Sequence, residues 1–496
     1  MLNKLHQILS DSSLAERQFW AFGLMVLFSI LFCIATEMYF LAGLPAFVLL
    51  LYVSIVDYRK VFFLLLFCIP LSTEIALPNG FGTDLPTEPI MVGLMLVYIL
   101  YVLKQGKQMK SDFLLHPISL LILLHLGWIY TTTITSDLFF VSLKFSLAKT
   151  WYIIVFYFMA GSLIKTELDY RQVFWFIFIP LMLTVLVILV RHSGYGFTFA
   201  DIHKVLHPFQ RNHVNYAAVL SLFFPVVFLA RGWYKPGTLP RLVLNISLLI
   251  LFVAIYLTYT RAAYVALLLA LIAYFILRMK LIRYALAVSL IGAILAVAYM
   301  AKNNTYLDYA PNYDRTITHK NFDSLIEATY KMEDISTMES VYRWIAGFQM
   351  STTNPVFGFG PGNFVNFYKT YTVTSFQTYV SDNEEQSGIH SYYLMTLVEQ
   401  GFIGLIIFLG LSFFILIKGE TIYHQTTDLG FRRIVLMVLL CTIVIDAFLI
   451  INDLIETDKV GPFFFICIAV LVNIDLHNKS SAGHLDTQVN ENQANQ

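Results

Sequence analysis

Arg241–Arg278 reads RLVLNISLLILFVAIYLTYTRAAYVALLLALIAYFILR. Two apolar runs, 242–259 and 262–278, are joined by little more than Thr260 and Arg261. Each run is close to the ~20 residues a helix needs to cross the hydrocarbon core of a bilayer. A segment that crosses lipid must satisfy its own backbone, so helices are the form expected. The stretch reads as a helical hairpin through a membrane. Runs of this kind recur along the whole chain. Of its 496 residues, 58% are hydrophobic and 13% charged, where a soluble protein carries about a quarter charged residues. The fold class expected is an all-α polytopic membrane protein.

Fourteen apolar segments run from 19–36 to 460–475, eleven of them before residue 301 and three after 391. Several fall short of ~20 residues, so the span count lies between twelve and fourteen. Lys and Arg set the orientation. With a cytoplasmic N-terminus, Arg59 and Lys60, Lys104, Lys107 and Lys110, Lys165 and Arg171, Arg231 and Arg241, Arg278 and Lys280, and Lys418, Arg432 and Arg433 all fall in inside loops. The alternation favours an even count with both termini inside. The chain divides into a transmembrane region of about eleven spans (1–300), a large outside loop with short helices (301–390), C-terminal spans (391–476) and a polar tail (477–496) expected to be disordered. No small-residue cleavage site follows the first apolar run, so that span is expected to be retained. Cys33, Cys68, Cys441 and Cys467 each lie inside an apolar run and read as small hydrophobes. Net charge is zero, and no nucleic-acid partner is expected.

A loop of about ninety residues, 301–390, is too long for a bare connection and reads as a functional cap. Ser336-Thr337-Met338-Glu339 is a capping-box pattern, opening a helix to about Thr352 with Val341, Trp344, Ile345 and Phe348 on its apolar face. Asn354-Pro355 stops it. Gly358, Gly360 and Gly362 follow in a tight turn, then a short amphipathic stretch at 363–371, then Asp382, Glu384 and Glu385. The cap ends at Ile389-His390-Ser391-Tyr392-Tyr393-Leu394, where polar loop meets apolar helix.

The same topology puts Arg211, Arg261, Arg343 and His390 on one side. Arg261 either snorkels to headgroups or serves a ligand; basic residues are disfavoured on this side, and ionisable groups in membrane segments are functional by default. Arg211 and Arg343 also read as solvated arginines, and gain meaning only beside Arg261. Three guanidinium forks suit a diphosphate. His390 is either a helix-start residue facing water or a general base. Glu399 is nine residues on, on the opposite face of a straight helix, and is not paired with it. Lys149, with Lys144 near it, either adds charge to the site or snorkels. Asp446 is either a functional carboxylate or a packing residue. Asp201, His203, His207 and His213 are spaced too loosely for a zinc set, and no metal or other cofactor is expected. The glycine turn follows no strand and is not a nucleotide fingerprint; its expected role is to turn the backbone so that Arg343 and His390 face one cleft.

These stretches resemble a known family. Leu257-Thr258-Tyr259-Thr260-Arg261-Ala262-Ala263 is similar to the Thr-x-Ser-Arg-Gly-Ala element of the O-antigen ligase and O-antigen polymerase superfamily. Asn354-Pro355-Val356-Phe357-Gly358-Phe359-Gly360-Pro361-Gly362-Asn363-Phe364 resembles its glycine loop, and His390-Ser391-Tyr392-Tyr393-Leu394 with Glu399-Gln400-Gly401-Phe402-Ile403-Gly404 resembles its histidine element. The likeness covers roughly 205–417. The chain departs from the pattern in Tyr259-Thr260-Arg261-Ala262, where Gly-Ser-Arg-Gly is frequent, and in Ser391, where Asn is common.

The resemblance implies a membrane-embedded (GT-C-like) fold, usually of twelve spans, and an inverting, metal-independent glycosyltransferase. Its donor would be a glycan on undecaprenyl diphosphate, and its acceptor lipid A-core or a growing glycan. It would sit among the lipids of the bacterial inner membrane with its site facing the periplasm. Arg211, Arg261 and Arg343 would bind the diphosphate and His390 would take the acceptor proton. A secondary transporter or flippase, and a protein O-oligosaccharyltransferase, remain as alternatives. The basic residues gather at one face and no repeat is visible, which counts against transport.

Overall fold

The computed structural model describes residues 14–36, 43–76, 82–106, 111–302, 335–372 and 387–494. Each of the fourteen apolar segments contributes a helix, although the one at 61–77 is α-helical only to Cys68 and ends in a strand at Thr73–Ala76. The helices are α1 Leu14–Thr36, α2 Leu44–Val56, α3 Tyr58–Cys68, α4 Thr87–Gln105, α5 Pro117–Ile134, α6 Phe139–Leu163, α7 Glu167–Ser193, α8 His213–Ala230, α9 Leu239–Leu257, α10 Arg261–Arg278 and α11 Ile282–Ala301; then, after the loop helix α12 Ile335–Thr353, α13 Tyr392–Gln425, α14 Leu429–Leu449 and α15 Gly461–Ala494. The protein is an all-α polytopic membrane protein, and eleven of these helices are long and apolar enough to cross a bilayer. α14 is as long as these but carries Arg432, Arg433 and Asp446. α2 and α3 have thirteen and eleven residues, which at 1.5 Å per residue reach about 20 Å at most. The short pair meets at Asp57, where the backbone leaves the helix. A small antiparallel hairpin, Thr73–Ala76 with Gly82–Leu85, is the strand structure among the described residues. The four cysteines are free.

Helical backbone continues from α15 to Ala494. The capping box at 336–339 falls on side chains outside the described set, as do Asp382, Glu384 and Glu385, Lys107 and Lys110, and most of the cap before Ile335.

Polar contacts between elements sort the helix ends into two faces. On one, Arg59 meets Asp169, Lys418 meets Asp475, and the Glu420 carboxylate accepts from Ile282 N. On the other, Arg211 meets Glu74, Lys149 meets Glu456, and Lys459 donates to the carbonyls of Ile69 and Ser72. Arg59 places the α2–α3 junction on the first face although both helices are short. Among the described residues, the basic loops read as inside belong to the first face, and Arg211, Arg261, Arg343 and His390 belong to the second. α15 and α8 are the most enclosed spans, and α1 and α11 the least.

α13 is broken near its start. Gly401 has φ 69° and ψ −176°, a region open essentially to glycine alone. A break inside a membrane frees backbone groups that nothing but protein can satisfy. Here the glycine loop does so: Val398 O accepts from Phe359 N, Glu399 O from Gly360 N, and Phe402 N donates to Pro355 O. Trp128 Nε1 donates to Gln400 O at 2.9 Å. The loop approaches so closely that a Cβ at Gly401 would lie 2.1 Å from Val356 O, and one at Gly358 would lie 2.5 Å from Val398 O. Gly401→Ala meets both obstacles, a clash and a backbone penalty of about 1–3 kcal/mol. We expect it to lower membrane yield and melting temperature sharply; wild-type melting would show that the loop does not fix the break.

Candidate functional site

His390 stands just before α13, whose N-cap is Ser391: its Oγ accepts from Leu394 N. Serine and asparagine are equivalent caps, so the departure at this position leaves the helix start intact. His390 itself takes left-handed backbone, φ 56°, uncommon for a residue with a Cβ. Its ring is bracketed by serines, with Ser387 Oγ 2.9 Å from Nε2 and Ser340 Oγ 3.5 Å from Nδ1. Trp344 Nε1 donates to its carbonyl at 3.2 Å. Burial first, and the Arg343 charge second, push its pKa down to about 4. The imidazole is therefore neutral at pH 7.

Ser340, Arg343 and Trp344 come from α12, which is keyed onto the His390 segment. Gly347 leaves the room that Ile389 fills; a Cβ there would lie 2.3 Å from Ile389 Cδ1. Arg343 is buried, at 3% exposure, and Nη1 donates to Gly388 O at 2.9 Å. Its guanidinium holds the backbone two residues before His390. Lysine at 343 keeps the charge and loses the planar fork. We expect Arg343→Lys to insert normally and to lower kcat about tenfold, on the scale of one lost charged hydrogen bond. Full activity would reduce Arg343 to a packing residue.

A cavity of ≈ 1480 Å³ opens beside His390. Arg261, the first residue of α10, lies on its wall together with His390, Asn212, Tyr259 and Trp344. Val265 and Leu269 of α10, Val297 of α11 and Ile450 continue the wall in apolar groups. The cavity thus has one polar end and one greasy end. The turn carrying Arg261 is tight: Tyr259 has φ 54°, and Thr260 Oγ1 donates to His213 O at 3.4 Å.

The other expected site residues are placed differently. Arg343 lies behind His390 and not on the cavity wall. Arg211 is largely exposed, with Nε 3.9 Å from Glu74 Oε2. Lys149 is buried and bound to Glu456 and the Tyr392 hydroxyl. Lys144 is exposed. Asp446 precedes the cavity-lining Ala447 on α14. His203 and His213 line the cavity with ring centroids 4.7 Å apart, while Asp201 pairs with Lys204. Among the described residues no group of three His, Cys, Asp or Glu is arranged to hold a metal.

Two acids play parts that the sequence did not suggest. Glu399 accepts from Gly362 N at 2.8 Å and Phe364 N at 3.1 Å, tying the glycine loop to α13. The loop thus fastens α12 to α13. Asp453, between α14 and α15, lies under the His390 segment: a Cβ at Gly388 would sit 2.8 Å from its Oδ2. Burial raises the Asp453 pKa, while Arg211 and Arg343 pull it back. The signal was four charged residues, Asp453, Glu456, Asp458 and Lys459, in one short outside turn.

Against known proteins, a family model described as O-Antigen ligase matches residues 246–409, about a third of the chain. No curated protein matches it. The matched stretch begins in α9 and ends in α13, and contains Arg261, Arg343, the glycine loop, His390 and Glu399. A lipid-linked glycan donor and a glycan acceptor are what that family implies at a coarse level. Over residues 246–409 the chain is thus similar to the O-antigen ligase family, and around that region it carries many membrane-length helices.

Proposed function

We propose that the protein transfers a glycan from undecaprenyl diphosphate to an acceptor hydroxyl, as a ligase acting on lipid A-core or as a polymerase extending a glycan. The observation that carries this reading is one cavity with Arg261 and His390 at its polar end and α10 and α11 side chains along its greasy end. A diphosphate carried on an isoprenoid chain has the same two halves. His390 takes the proton of the acceptor hydroxyl. The oxygen attacks the anomeric carbon from the face opposite the diphosphate, the bond to the phosphate oxygen breaks, and the diphosphate leaves with the electron pair. The configuration inverts. Arg261 meets the charge that develops on the leaving group, which lowers the barrier without a metal ion; Arg211 adds long-range positive charge, and Arg343 positions His390. EDTA should leave the rate unchanged.

The face bearing His390 is assigned to the periplasm of a bacterial inner membrane, by the excess of basic residues on the opposite face. Reporter fusions after 235 and 425 should register cytoplasm and a fusion after 205 periplasm; the reverse pattern removes the outer-leaflet assignment. Profiling of lipid-linked glycans in a deletion strain tests the activity. Accumulated long chains mark a ligase, accumulated single repeats a polymerase, and an unchanged profile ends the proposal.

A further inference from the structure

The polar end of the cavity has a second wall that the chemistry above does not use. It comes from residues 197–213, the connection from α7 to α8. This segment is fastened at several points. Tyr259 Oη donates to Phe197 O, Arg191 Nη1 donates to His207 O at 2.7 Å, and the His192 ring lies 3.0 Å from Thr198 O. Phe197, like Tyr259, takes left-handed backbone, φ 56°, which non-glycine residues keep only when surroundings hold them there. Such fixing is more than a simple connection requires.

What the wall presents suits a sugar ring. Phe199, His203 and Asn212 line the cavity. Phe199 is held edge-on to Tyr259 at 5.4 Å between ring centroids, as His203 is to His213. Asn212 Oδ1 caps α8 by accepting from Asn215 N at 2.8 Å, which fixes the amide and turns its NH₂ group to donor use. Partial burial lowers the His203 pKa, so its neutral ring offers one donor and one acceptor. A pyranose has an apolar C–H face and a rim of hydroxyls, and needs an aromatic surface beside such groups. Its position is also set. The wall joins the Arg261 turn through Thr260 and His213, and His390 lines the same cavity, so a sugar whose diphosphate rests at Arg261 is bounded by this wall.

We propose that Phe199, His203 and Asn212 form a sugar subsite that holds the first pyranose of the donor and selects which sugar is transferred. This rests on the reading of Arg261 as the diphosphate site. The test uses purified protein in nanodiscs. Binding is measured for farnesyl diphosphate, and for farnesyl diphosphate conjugates of glucose, galactose, N-acetylglucosamine and N-acetylgalactosamine. At least one conjugate should bind about tenfold tighter than the sugar-free probe, as two neutral hydrogen bonds provide. The double variant His203→Ala, Asn212→Ser keeps a helix cap; it should erase that advantage and leave farnesyl diphosphate binding unchanged, which also shows that it is folded. Arg261→Ala should weaken all probes alike. No sugar preference in the wild type, a preference that survives the double variant, or equal weakening of all probes by it overturns the subsite. Wild-type protein that binds no probe, or Arg261→Ala that binds all of them normally, overturns the diphosphate reading and the subsite with it.

Discussion

His390→Gln lowers glycan transfer by about 100- to 10,000-fold, the range a positioned general base contributes, while the protein inserts and still binds its lipid diphosphate. Glutamine can keep the contact to Ser387, which lies 2.9 Å from the imidazole Nε2. It can also keep the shape of the segment, because Trp344 bonds the backbone carbonyl and not the ring. What it cannot do is take up a proton at useful pH. His390→Ala should match it in rate. Parallel loss in both variants, with binding intact, separates proton transfer from positioning. A glutamine variant working at near the wild-type rate would sink the base assignment and move it to Asp453 or to Asp382, Glu384 or Glu385.

The pH dependence carries a further check. The neutral imidazole is the active form, so activity is present above its pKa and lost as pH falls through it. In the free protein burial and Arg343 hold that pKa at about 4, and kcat/KM, which reports the free enzyme, should fall only near there. A base so weak is a poor proton acceptor at neutral pH. A diphosphate bound at Arg261 brings negative charge into the same cavity and favours the imidazolium. The limb in kcat, which reports the complex, should therefore lie at higher pH than the limb in kcat/KM. Coincident limbs would mean that the substrate does not tune the base.

The helices were legible because lipid leaves a chain few choices, and length already marked some segments as short for a span; that the segment at 61–77 turns from helix to strand after Leu71 was not legible. At the site, Arg261 and Arg343 look alike in sequence, each an arginine at an apolar border. Packing separates them. α10 begins at the cavity and exposes Arg261 to it, whereas Gly347 lets α12 sink onto Ile389 and turns Arg343 inward to Gly388 O. Helical spacing does not pair Glu399 with His390, and its partners lie more than thirty residues upstream, beside a break at Gly401 that periodicity cannot show. Asp453 and Glu456 drew no reading from the sequence; their contacts to the His390 segment and to Lys149 are set by tertiary packing.

Arg261→Lys leaves insertion and melting temperature unchanged and lowers kcat about 100-fold, the scale of losing one preorganised donor to a developing charge. A cation at the first residue of a helix works against the macrodipole by about 0.3–1 kcal/mol, and α10 accepts that cost. The same dipole and the guanidinium together favour an anion at this end of the cavity. Lysine preserves the charge but concentrates it at one point, where the fork spreads two parallel donors toward phosphate oxygens. Charge on the diphosphate grows as the glycosidic bond breaks, so the loss should appear in kcat, with KM changed less. A residue that merely snorkels to headgroups would tolerate lysine, since both side chains reach the interface by an apolar stem. Unaltered kcat in Arg261→Lys would therefore return Arg261 to the ordinary interfacial class. A loss confined to KM would instead mean that it grips the carrier equally before and during transfer.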